Sequence, residues 1–413
     1  MNKDILCRLL DHTTSQEELV KELNHFCKPN WENLFEASTW HGIKPLVYLR
    51  LKPLFGKATI PSSIQNDLRD AYIHSVRKNI LILHHAGKLL KTLKAHGIDV
   101  IGLKGIFLVE NIYENIAIRS FGDIDIMVRK EDIKSTINVL QGFGFSMQTY
   151  FDVQDENIDI KHVPPMFNAD GLIVEIHWTL LEENEPFTID AQGLWDRAVP
   201  ANIASVDTLA LSPEDLILHL CMHLTYQHRL KLGLRGLYDI AEVLRHFEGQ
   251  LDWTKLVGIS KTWGSERVTW LSLMLTQDLL EAQIPPMILE NLKPKEVAPW
   301  VLVEAKAQLL EQDVRKAVVT PDLANFATKE GLISRFKLLL SRLFLPKQTL
   351  ARLYGVSPKS IQIYGCYFKR LIYLIIHYGD SLKRVAKKDP QMRLVVENEI
   401  IIERLKKWMV KNK

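Results

Sequence analysis

The sequence predicts an α+β protein: a mixed sheet flanked by N-terminal helices and a large C-terminal helical region. Three observations predict it. Strand-like segments are confined to one stretch, residues 98–180. Helical periodicity dominates before that stretch and again from Ser212 onward. The chain has 413 residues, 47% of them hydrophobic, which is enough for two or three domains.

The elements follow in order. Over residues 37–51 apolar side chains recur at helical intervals, broken by Gly42 and Pro45. Over residues 79–96 Ile80, Leu83, Leu90 and Leu93 share one helical face, and Gly97 ends the helix. Residues 98–103, IDVIGL, are short, apolar and β-branched, as in a buried strand. A short helix is expected at 105–111. Residues 123–128, DIDIMV, alternate as a strand does with one face wet. A helix at 131–140 and strands at 145–150 and 172–180 follow, and the mixed block is expected to end near Pro200. Ser212-Pro213-Glu214-Asp215 then opens a helix: Ser caps it, Pro suits its first turn, and the acids suit its N-terminal dipole. Later breaks fall at Pro285-Pro286, Lys293-Pro294, Pro321, Pro346 and Pro358. The expected organisation is an N-terminal helical region (1–96), an α/β core (97–205), a helical domain (206–330) and a basic helical region (331–413).

Composition narrows the function. The four cysteines, Cys7, Cys27, Cys221 and Cys366, lie far apart without a CxxC pair. That excludes a thiolate zinc site and a disulfide framework, and fits a cytoplasmic location. The N-terminus lacks the long apolar run of a secretory signal, and the apolar run at 371–376 is too short for a bilayer, so an integral membrane protein is not expected. Net charge is +3, but residues 331–413 hold 18 Lys and Arg against 5 acids. There Phe368, Leu371, Ile375, Tyr378, Leu382 and Val385 recur at steps of three and four, with Gly379 as a weak point. This stripe would pack on the helical domain. Alternatively, with its flanking lysines and arginines, it would rest on an acidic surface such as lipid or nucleic acid.

The chemistry concentrates in residues 102–128. Two residues apart in a strand, Asp123 and Asp125 project to the same side while Ile124 and Ile126 face the core. Paired carboxylates repel unless a cation lies between them, and oxygen donors suit Mg²⁺. Two such ions would clamp the attacking and leaving oxygens of a phosphoryl displacement. Glu175, the charged residue in IVEIHW, is the candidate third ligand if its strand lies beside the first. Direct ligation requires it within about 8 Å of an aspartate. Lys104-Gly105 stands where a strand gives way to a helix, a place for phosphate oxygens, with Arg119 and Ser120 in reach.

These residues resemble the DNA polymerase beta nucleotidyltransferase superfamily, and within it a bacterial group of uncharacterised nucleotidyltransferases. The matching motifs are Leu103-Lys104-Gly105, Arg119 with Gly122-Asp123-Ile124-Asp125, and Val174-Glu175-Ile176-His177-Trp178. A helix like 212–223 and the segment 234–240, LRGLYDI, extend the likeness over roughly residues 35–245. It implies the nucleotidyltransferase fold, Asp123, Asp125 and Glu175 as catalytic metal ligands, NTP as substrate (ATP among the candidates), and an acceptor it does not identify. The wider superfamily has Gly-Ser or Gly-Gly where this chain has Lys104-Gly105.

Other residues carry weaker signals. His177 shares a strand face with Glu175 and is a candidate base or acceptor contact, whereas Trp178 reads as core. His219 and His223 are four apart on one helix and read as core or hydrogen-bonding histidines, with His223 facing the site as the alternative. Arg235 and Asp239 read as a helix ion pair or as acceptor-pocket residues. The leading function is Mg²⁺-dependent transfer of a nucleotide to a small molecule, peptide, protein or RNA end. The alternatives are an inactive nucleotide-binding or interaction module, and a toxin- or antitoxin-like nucleotidyltransferase acting on RNA or protein.

Overall fold

The structure, a computed structural model, describes residues 3–147, 161–310, 344–386 and 390–410. The chain divides into two compact units. The first comprises Met1–Ser146, Ile158–Leu310 and Trp408–Lys413; the second comprises Met147–Asn157 and Glu311–Lys407.

Five helices come first: α1 (Lys3–Leu10), α2 (Gln16–Leu23), α3 (Lys28–Trp40), α4 (Lys44–Leu51) and α5 (Ser62–Ala95). The break expected at Gly42 and Pro45 is there. Gly42 has φ +67°, a left-handed turn, and Pro45 lies in the first turn of α4. At 34 residues, α5 begins well before the stretch whose periodicity announces it, and Gly97 stops it at φ +72°. Ile80 is exposed, so the buried face runs through Ile82, Leu83, Ala86, Leu90 and Leu93 instead. Two buried polar residues of α5 hold the loop ahead of the second strand. Ser75 donates to the Ala117 carbonyl at 2.8 Å, and Asn79 donates to Ile116 and Arg119 carbonyls at 2.6 and 2.9 Å.

The sheet is built from β1 (Ile101–Gly102), β2 (Asp123–Met127), β3 (Ser146–Met147), β4 (Met166–Phe167), β5 (Ile173–His177), β6 (Val199–Ile203) and β7 (Val206–Ala210). Its order is β3-β4-β5-β2-β1-β7-β6. The sheet is mixed: β2 runs parallel to β5 and antiparallel to β1, and β1 runs parallel to β7. Helices α6 (Lys104–Asn111), α7 (Ile133–Gly142) and α8 (Ala191–Asp196) connect the strands. The first strand is shorter than the apolar run 98–103, and of the strand expected at 145–150 residues 148–150 lie outside the described residues. The strand reading also stopped too early, near Pro200. The β6–β7 hairpin carries the sheet to Ala210 around Ala204 and Ser205, at φ +51° and +62°. Such turns usually announce themselves with Asn-Gly or Gly, and this one has neither.

From Ser212 the first unit is helical: α9 (Pro213–Cys221), a π-helical turn at Met222–Gln227, α10 (Leu234–His246), α11 (Trp253–Trp263), α12 (Glu266–Leu280), α13 (Pro286–Leu292) and α14 (Trp300–Leu310). Ser212 caps α9 by accepting from the Asp215 amide. The start of α10 is capped from far away, the Leu234 amide donating to His41 Nδ1 at 3.1 Å. Gly233 lets that histidine in, since a Cβ there would lie 2.3 Å from His41 Nδ1.

The described part of the second unit has α15 (Lys347–Tyr354), α16 (Gln362–Ala386) and most of α17 (Pro390–Met409). Its small core joins Leu350 and Ala351 of α15 to Ile363 and Cys366 of α16. Helix α16 runs unbroken through Gly379. Of the apolar stripe expected to pack, Phe368 and Leu371 are exposed, because Ile363 and Cys366 form the packed face; Ile375, Tyr378, Leu382 and Val385 lie outside the described side chains. All four cysteines are free, and among the described residues no helix is long and apolar enough to cross a membrane.

Candidate functional site

The register of β2 and β5 sets the site. Asp125 stands opposite Glu175 on the neighbouring parallel strand, with Asp123 opposite Ile173 and Met127 opposite His177. Alternation sends Ile124, Ile126, Val174 and Ile176 into the core, all nearly or fully buried. Asp123, Asp125 and Glu175 therefore reach one cleft of about 390 Å³. Ligand atoms of Asp125, Glu175 and His177 lie within 4.8 Å of one another, close enough to share a metal ion. This meets the proximity expected of Glu175, and it brings in His177, read from the sequence as a base or an acceptor contact. Asp123 lines the cleft beside this trio rather than within it.

Asp125 is 1% exposed and is the hub of the local charge network. Its Oδ1 accepts from Lys104 Nζ at 2.9 Å and lies 3.0 Å from His177 Nε2. The same nitrogen is 3.4 Å from Glu175 Oε2. Burial alone would raise the pKa of Asp125, but the Lys104 ammonium and the His177 hydrogen bond hold it well below the usual carboxylate range. Glu175 is lowered by its hydrogen bond to His177, against burial. Asp123 lacks such a partner, and burial, then the charge of Asp125, push it up. Lys104 is raised: burial opposes the charge, but Asp125, Glu175 and Asp123 together outweigh it.

Lys104 gains this position through an unusual backbone. Its φ is +42°, a left-handed conformation for a non-glycine residue at the turn from β1 into α6. The expectation placed Lys104 on phosphate oxygens; its ammonium here lies on Asp125. Gly105, expected with Lys104 to meet phosphate oxygens, has protein as its tightest neighbour, since a Cβ there would lie 2.7–2.8 Å from the Phe121 ring and Cβ. Gly105→Ala should therefore lower stability by roughly 1–3 kcal/mol through overpacking, read as a shifted midpoint in chemical denaturation.

The opposite wall comes from the helical part of the same unit. Arg119 Nε donates to Asp239 Oδ1 at 2.8 Å and Oδ2 at 3.1 Å, and the Tyr113 hydroxyl donates to Asp239 Oδ1 at 2.6 Å. All three side chains are buried. The helix ion pair expected between Arg235 and Asp239 is thus replaced by one that ties α10 to the loop before β2. Arg235 turns into the cleft, its Nη1 reaching the Ser120 carbonyl at 3.5 Å, and burial, then Arg119, lower its pKa.

His223 faces the cleft, as in the alternative reading, and the π turn brings His228 to it, with rings 4.3 Å apart. The His228 amide bonds back five residues to the His223 carbonyl at 3.0 Å, the spacing of a π turn. His219 stacks behind His223 with no hydrogen-bond partner for either ring nitrogen. Burial, then Lys104, push His219 and His223 well below the ordinary histidine value and His228 to about 4, so this wall is uncharged at neutral pH.

Lys161, His162 and His228 line the cleft and were not anticipated. Lys161-His162 precedes a two-residue strand too short to show alternation, and a π turn has no 3.6-residue signature. A larger cleft of about 990 Å³ lies among α1, α2 and α12, but Arg8, Glu22, Asp278 and Lys306 in its lining pair with one another as ions.

The donor set suits a hard divalent cation: carboxylates at matched register on adjacent strands, a third beside them, and one imidazole. A family model described as an uncharacterised nucleotidyltransferase matches residues 28–281, a span that contains every residue lining the cleft of Asp123, Asp125 and Glu175. No curated protein and no solved structure matches the chain.

Proposed function

The chain belongs to the uncharacterised nucleotidyltransferase family, and from that premise we propose that it moves a nucleoside monophosphate from an NTP to an acceptor hydroxyl or phosphate and releases pyrophosphate. The observation that carries this reading is the pairing of Asp125 with Glu175 on adjacent strands, beside Asp123, at the wall of a cleft lined with Lys104, Lys161, Arg119 and Arg235. Carboxylates and cations so arranged match a magnesium-bound polyphosphate.

Asp123, Asp125 and Glu175, with His177 beside them, would hold Mg²⁺, two ions in the full reaction. Bound there, the ions supply charge neutralisation at the attacking and leaving oxygens. Lys161 and Arg235, with the Ser120 loop, would bind the phosphates and offset the charge of the leaving pyrophosphate, while Lys104 holds Asp125. The acceptor oxygen forms its bond to the α-phosphorus as the bond from that phosphorus to the α–β bridging oxygen breaks, and this oxygen leaves as a terminal oxygen of pyrophosphate. For a hydroxyl acceptor, Glu175 would take the proton. The uncharged His223–His228 wall would orient the acceptor without competing for the phosphates. Most of the rate would come from positioning and electrostatics.

Calorimetry with ATP, GTP, CTP and UTP, each with and without Mg²⁺, tests this without knowledge of the acceptor. At least one nucleotide is expected to bind, and only with the metal. Failure of all four in the presence of Mg²⁺ would remove the reading.

A further inference from the structure

We propose that α16 of the second unit is an in-plane docking helix for an anionic lipid surface. The helix has two apolar faces, and the described contacts account for one. Ile363 and Cys366 pack on Leu350 and Ala351 of α15. Across the helix, Tyr364, Phe368, Ile372 and Ile376 recur every four residues, with Leu371 beside them and Ile361 just ahead of the first turn, and all six are exposed, Ile361 at 84%, Phe368 at 65% and Ile376 at 66%. Contiguous apolar exposure of this kind marks an interaction surface.

The occupant follows from chemistry. The face is mostly aliphatic, with Phe368 and Tyr364 among the isoleucines, which suits acyl chains better than nucleobases, since bases need stacking platforms. Its setting is basic: residues 331–413 carry 18 Lys and Arg against 5 acids, and Lys359 and Lys369 adjoin the exposed stripe in sequence. That excess repels a second copy of the same surface and attracts an anionic one. No described helix is long and apolar enough to cross a membrane, so this one would lie in the interface, its apolar face at the headgroup boundary.

The test uses the full chain and vesicles of phosphatidylcholine with and without phosphatidylserine. Cosedimentation is expected with the phosphatidylserine vesicles alone and should weaken as salt rises. The double variant Phe368→Asp, Ile372→Asp should lose at least about tenfold in vesicle affinity. Its melting temperature should be unchanged, because both positions are exposed. The proposal is overturned by absence of binding at low salt, or by equal binding of the variant. It is also overturned if the substitutions abolish a gel shift of a mixed-sequence RNA, or a dimer in sedimentation, while vesicle binding persists. Nucleotide calorimetry on the double variant keeps this result separate from the proposed activity, which should be untouched.

Discussion

Asp125→Asn is expected to lose Mg²⁺-dependent nucleotide binding and to be less stable than the parent chain. Both effects have one origin. The Asp125 carboxylate would hold the metal, and it also neutralises Lys104, whose side chain is 11% exposed. The amide leaves that ammonium without its counter-charge, and breaking a buried pair by removing one member costs about 3–5 kcal/mol. Asp123→Asn should behave differently. Asp123 is pushed up by burial and by the charge of Asp125, so neutralising it relieves repulsion. It should lose nucleotide binding while keeping or slightly raising the melting temperature. Calorimetry and thermal denaturation of the two variants side by side would show the split. Equal melting temperatures would mean that Lys104 finds another partner when Asp125 is neutral. Undiminished nucleotide binding by both would move the metal site elsewhere.

The second large effect is expected at Asp239. Replacement by Asn leaves the buried Arg119 guanidinium uncompensated and weakens the acceptor of the Tyr113 hydroxyl. The loss should again be about 3–5 kcal/mol. The double variant Arg119→Met, Asp239→Leu should recover much of it, because both charges leave together and two apolar side chains remain. Chemical denaturation of the parent chain, Arg119→Met, Asp239→Leu and the double variant measures the coupling. Additive losses would show that each residue acts alone. If Arg119 instead served the nucleotide directly, Asp239→Asn would leave stability intact and change only nucleotide affinity.

Much of the carboxylate face of the cleft was legible because it rests on the shortest-range rules. Alternation alone puts Asp123 and Asp125 on one side of a strand, and the charge of Glu175 within apolar neighbours marks the partner strand. The match of a family model over residues 28–281 agrees with the motifs read from the chain. The partners of these carboxylates were not legible, because they depend on distances across the sequence. Lys104 meets Asp125 by way of a left-handed residue that no pattern announces. Asp239 has a basic residue four positions earlier on its own helix, so the local rule pairs it with Arg235. The structure gives it to Arg119, 120 positions away, whose bidentate contact is buried. The β6–β7 hairpin escaped for a similar reason, since Ala204 and Ser205 turn the chain without glycine or asparagine.

The long-distance caps around α10 bear on how the protein is made. The cleft needs Arg119 against Asp239, and α10 needs His41 at its first turn, a closure across 193 positions. Loops of that length are slow to close, and the rate of folding falls as such contacts come to dominate. During synthesis the N-terminal helices and the carboxylate strands emerge well before Leu234 does. The emerging chain therefore holds the Asp123, Asp125 and Glu175 carboxylates for an interval without the wall that lines the rest of the cleft. Under the proposed reading, the substrate site would be complete only after the segment that closes the cleft has emerged, so the order of translation would set when the chain can first enclose a nucleotide.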